Sequence, residues 1–124
     1  MALPPLTDVQ LALMKSLWKL GQGSVADVQA ALADQGKQLA PTTVATMLLR
    51  LAKQGWVSPE KVGRQYIYRA SVDQDAAATG ALQRVVRAFF GGSVSALTAQ
   101  LLDSDDLTAE ELEQMRSLIR SKET

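Results

Sequence analysis

A chain of 124 residues is enough for one domain or for two small ones that share a core. Without cysteine it has no disulfides and no thiolate metal sites, and without histidine it lacks the commonest metal ligand and general base, so no metal, cofactor or catalytic role is expected. There is no run of about 18 apolar residues and no signal-peptide pattern at the start, so the expectation is a cytoplasmic binding protein with no membrane segment.

The formal net charge of +0 hides a division. Residues 1–70 hold eight basic residues (Lys15, Lys19, Lys37, Arg50, Lys53, Lys61, Arg64, Arg69) against four acidic ones (Asp8, Asp27, Asp34, Glu60), a balance of +4. Residues 71–124 hold five basic against nine acidic, a balance of −4. Such asymmetry points to one half that meets a polyanion and another that does not.

A first helix opens at Thr7, with Gln10 three residues later, the spacing of a reciprocal cap, and ends at the Gly21–Gly23 turn. Val9, Leu13 and Leu20 form one face, while Leu11, Met14 and Trp18 fall on the opposite one. A helix apolar on both sides is expected to be sandwiched between the small domain and a second layer of helices. Ser24 begins the second helix, with Asp27 in the first turn where a carboxylate suits the helix dipole. Val25, Val28 and Leu32 face inward, and Gly36 closes it.

The third helix runs from Pro41, favoured in a first turn, to the stop at Gly55. At about 100° per residue, Val44, Leu48, Leu51 and the neighbouring Met47 form a core stripe. Thr42, Thr46 and Lys53 point the other way, flanked by Ala45, Leu49 and Arg50. This outward face is small, hydroxylic and basic, and free of the acidic residues of an ordinary solvated face. Short side chains let a helix press against a groove of base edges. Two short helices followed by such a third make a helix-turn-helix, whose later helix enters the major groove. Ala40 stands where a capping Ser or Thr is expected, leaving the first amides to Thr42, Thr43 or a phosphate.

Beyond Gly55 the period becomes extended. Trp56 and Val57 begin a strand, Val62-Gly63 can turn, and Tyr66, Ile67 and Tyr68 return, giving a two-stranded wing whose tip carries Lys61 and Arg64. Tyr66 and Tyr68 share a face and are expected to pack or to contact backbone.

From Asp73 a second domain, residues 73–124, is expected to be helical. Leu82, Val85, Val86 and Phe89 form a stripe up to Gly91-Gly92; Val94, Leu97 and Leu101 follow. Thr108 and Glu111 then cap a last helix with Leu112, Met115, Leu118 and Ile119. Three short amphipathic helices cannot bury their stripes alone. A second copy of the chain is one expected cover and packing back onto Met14 and Trp18 the competing one, and both are expected to occur.

The stretches LTDVQLALMKSLW, TTVATMLLRLAKQGWV and VGRQYIYRASV between Leu6 and Val72 resemble the DNA-binding half of the penicillinase-repressor (BlaI/MecI) family, and FFGGSVSALTAQLL and DLTAEELEQMRSLI extend the resemblance almost to the end. It implies a mainly α fold with a small β-ribbon. A winged helix-turn-helix DNA-binding domain, residues 1–72, precedes a helical dimerisation domain in a homodimeric repressor of palindromic operators. Base readout then falls to Thr42, Thr43, Thr46 and Arg50, and phosphate contacts to Lys53, Lys61 and Arg64. Dimer contacts fall to Leu82, Val85, Val86, Phe89, Leu97, Leu101, Leu112, Met115 and Ile119. Type members are inactivated by an inducing protease at an Asn-Phe bond, but this chain has no Asn; copper-responsive relatives bind metal through cysteines that are absent here. A protease of other preference, a sensor protein or a ligand remain open as inducers. The competing reading is a winged-helix protein–protein module. An enzyme would have only the carboxylates Asp103 to Asp106 and Glu110 to Glu113, which read as solvated caps.

Overall fold

The computed structural model describes residues 3–124. In chain order the elements are α1 (Asp8–Leu20), α2 (Val25–Asp34), α3 (Pro41–Gln54), β1 (Val57–Val62), β2 (Gln65–Ala70), α4 (Gln74–Phe90), α5 (Val94–Leu102) and α6 (Ala109–Glu123). The fold is mostly helical with one two-stranded antiparallel sheet.

Helix starts follow from capping chemistry. The Thr7 hydroxyl accepts from the Gln10 N–H at 3.2 Å while Gln10 Oε1 accepts from the Thr7 N–H at 3.0 Å. Ser24 and Asp27 make the same reciprocal pair at α2, so Asp27 is a cap partner as well as a favourable charge. Thr108 and Glu111 repeat it at α6. Each such cap contributes about 1 kcal/mol. At α3 the start depends on Pro41, since Ala40 makes no side-chain cap. Its end requires glycine: Gly55 has φ +93°, and a Cβ there would lie 3.1 Å from Leu3 Cδ2.

The chain divides into two compact units, Met1–Ala81 and Leu82–Thr124. The first runs past Val72, and Ala77 of α4 packs against its core. In that core Leu13, Met14 and Leu17 of α1 meet Val28 and Leu32 of α2 and Val44, Leu48 and Leu51 of α3, all fully buried, with Trp56, Val57 and Tyr68 closing it.

Met14 and Trp18, on the face of α1 expected to meet a second layer of helices, are covered within this one unit. Met14 joins the same core as Leu13, because α1 is flanked by α2 and by β2. Trp18 packs on the core edge, and its indole N–H donates to the Val72 carbonyl at 2.8 Å, fixing the chain that leaves the wing. Leu11 and Leu20 are exposed, whereas Leu17, outside both predicted faces, is buried. A polar knot joins the first two helices: Gln35 Nε2 donates to Ser16 Oγ at 2.8 Å and to the Ala12 carbonyl at 3.0 Å.

The ribbon pairs Val57 with Ala70 and Val62 with Gln65, so the turn is Gly63-Arg64 rather than Val62-Gly63. Gly63 has φ +64°, which a two-residue hairpin asks of its first central position. Trp56 precedes the strand; its N–H still returns to the Leu51 carbonyl, closing α3. Gly23 and Tyr68 exchange backbone hydrogen bonds of 2.9 and 2.8 Å, tying the α1–α2 turn to β2.

In the second unit α4 ends at Gly91 and Gly92, both with positive φ, and Ser93 caps α5 by accepting from the Ala96 N–H. On α6, Glu113 accepts from Arg116 and Arg120, an exposed arrangement of little energetic weight.

Candidate nucleic-acid interface

Helix α3 turns Val44, Leu48 and Leu51 into the core, which forces its other side outward. Thr42, Thr43, Thr46, Leu49, Arg50 and Lys53 are all exposed. Thr42, Thr43, Thr46 and Arg50, the residues expected to read bases, come together along one open cleft of about 270 Å³. Met47 and Gln10 of α1 complete its lining.

Hydrogen bonding limits what each group can do. Thr46 Oγ1 donates to the Thr42 carbonyl at 2.9 Å, so its proton is already spent, leaving a methyl group and acceptor lone pairs. Gln10 uses Oε1 on the Thr7 N–H, which leaves its amide NH₂ as donor. Arg50 keeps five donors and forms no ion pair among the described residues.

Lys53 sits in the last turn of α3, Lys61 near the end of β1 and Arg64 in the wing turn itself, all exposed. The acid near them, Glu60, faces Arg69 at 3.9 Å, and Arg69 also donates to Gln22 Oε1 at 2.8 Å. That interaction keeps Glu60 beside a base of its own ribbon, while Lys53, Lys61 and Arg64 form no ion pair among the described residues. Tyr66 and Tyr68 share a ribbon face with ring centroids 6.5 Å apart; Tyr68 belongs to the core and Tyr66 is exposed.

Sequence reasoning missed Gln10 as part of this surface, since its spacing from Thr7 announced a cap and nothing else. The internal hydrogen bond of Thr46 was readable in principle, because a Thr four residues after a helical carbonyl can bond back to it. The lock between Arg69 and Gln22 bridges 47 positions and has no local signal.

Residues 6–121 match the family model described as penicillinase repressor. The chain belongs to the penicillinase repressor family. It is similar to the penicillinase repressor of Bacillus licheniformis, at 26% identity over 117 residues, covering 94% of this chain and 91% of that protein. Among solved structures, the DNA-binding domain of the repressor BlaI aligns with a TM-score of 0.53 and 32% identity, over 61% of this chain and 93% of that one. The Bacillus licheniformis BlaI monomer in complex with the blaP half-operator aligns with a TM-score of 0.51 and 32% identity, over 60% and 89%. As a member of the penicillinase repressor family, the chain is a winged-helix, DNA-binding repressor.

The helices after the wing present the residues expected at a dimer contact in unequal ways. Leu82, Val85, Phe89, Leu101 and Ile119 are exposed, and Leu97, Leu112 and Met115 are half-buried. Val86 is only 8% exposed in the single chain and has little surface left to give.

Proposed function

We propose that this protein is a homodimeric, sequence-specific transcriptional repressor that binds a palindromic operator. The observation that carries the reading is the outward face of α3: hydroxylic, basic and free of acid, its four candidate readers gathered on one cleft. Major-groove recognition needs such a face, with short side chains for close approach and an Arg for guanine edges or phosphate. Lys53, Lys61 and Arg64 hold phosphates and set the register of the helix. The solved BlaI complex with a half-operator supports placing one winged domain on each half-site.

The second copy follows from the exposed apolar side chains of Leu82–Thr124, which a like surface can cover. Two linked winged domains bind two half-sites at once, so each raises the effective concentration of the other. Release from DNA then requires only that the helical domains separate. The segment from Gly91 to Asp106 suits this control, because a glycine pair and an acidic run bracket the short helix α5. Cleavage there by a protease, or engagement by a sensor protein, is the inducing event that fits.

A mobility-shift titration with the chain's own promoter region, against competitor DNA, tests the reading. We expect a complex at a two-fold symmetric site and a weaker one at half of that site. Equal affinity for promoter and competitor would leave only the protein–protein module.

A further inference from the structure

The outward face of α3 carries one residue that neither hydrogen bonding nor charge explains. Leu49 is 56% exposed although the core beneath it is complete, with Val44, Leu48 and Leu51 fully buried. It lies three residues after Thr46 and four before Lys53, on the ridge that the proposed function puts in the groove. Thr46 adds no donor on that ridge, because its hydroxyl donates to the Thr42 carbonyl. Along that ridge, between Thr42 and Lys53, the apolar groups on offer are the leucyl side chain and the Thr46 methyl, with the donors of Thr43 and Arg50 lying to one side.

We infer that Leu49 is a specificity-determining residue that reads the 5-methyl group of a thymine in each half-site, with Thr46 extending the apolar contact. In the major groove the other edge groups of the base pairs are hydrogen-bond donors and acceptors, and the thymine methyl is the apolar mark. A leucine pressed onto donors and acceptors would strip them of water and return nothing. Against a methyl it buries apolar surface on both sides, so the sequence opposite it is selected without a hydrogen bond. This inference rests on the DNA-reading function proposed above.

The test uses the full-length chain. A pool of random duplexes is taken through rounds of binding, and the enriched site is resynthesised with each thymine in turn replaced by deoxyuridine, which deletes the methyl alone. We expect one thymine per half-site whose replacement weakens binding about fourfold, the worth of one buried methyl-sized group. In Leu49→Ala that replacement should have no further effect, whereas Leu49→Met, still apolar, should keep it. An enriched site at which deoxyuridine is tolerated everywhere, or costs as much in Leu49→Ala as in the wild type, overturns the assignment of Leu49. A pool with no enriched sequence overturns the DNA-reading function, and the inference with it.

Discussion

In Met1–Ala81 the large apolar side chains of three helices and a ribbon close on one another, whereas in Leu82–Thr124 Phe89 is 80% exposed and Leu118 71%. Both stretches are made of amphipathic helices with ordinary caps, so the difference does not lie in local propensity. The first unit has elements that approach α1 from two sides, and the ribbon returns to it through Gly23 and Tyr68. The second has three helices and no sheet to lay them on. A stripe that finds no cover within its own chain is stable only where something else covers it.

The largest expected effect lies in the closed unit. Leu48→Ala removes a fully buried side chain between α3 and the rest of the core, and should destabilise the protein by about 2–5 kcal/mol in chemical denaturation. A loss near zero would mean that the first unit is not the stable half. Phe89→Ala is the counterpart in the open unit. It should leave the midpoint of winged-domain unfolding in place yet weaken self-association by about 1.5–3 kcal/mol per subunit, as read by sedimentation equilibrium. A full-length chain that stays monomeric at micromolar concentration would break the comparison, since the exposed stripes would then have no like partner.

Smaller effects separate reading from holding. Thr46→Ala should cost about 1–3 kcal/mol on the selected operator and little on random DNA, because it removes a groove contact and leaves the core intact. Equal weakening on both would take Thr46 out of base readout. Arg64→Ala should weaken binding almost uniformly and lower the slope of log affinity against log salt by about 1. If that slope did not change, the wing tip would be a solvated hairpin and the basic surface would be confined to α3.

The winged fold was legible in the residues because its signals are local and strong. Thr7 with Gln10, Pro41 with Gly55, and the switch from a helical to a two-residue period after Gly55 each fix a boundary by backbone chemistry within a few positions. The outward face of α3 was legible for the same reason: once Val44, Leu48 and Leu51 point inward, helix geometry places Thr42, Thr46 and Lys53 outward. The two-sided pattern of α1 was readable as a need for cover, but the residues gave no way to tell that β2 and α2 supply it.

Sequence by itself therefore determined the elements, the inward stripe of α3, the absence of acid from the outer face of that helix, and the absence of cysteine and asparagine from the chain. Tertiary structure decided the rest: that Met14 belongs to the winged core, that Trp18 clamps Val72, that Gln10 borders the cleft along α3, and that Arg69 sits between Gln22 and Glu60. The physical reason is range. Caps, turns and helical periods are set by groups within about four residues of one another. Cover and electrostatic partnership depend on which distant segments meet, and no single segment's pattern encodes that.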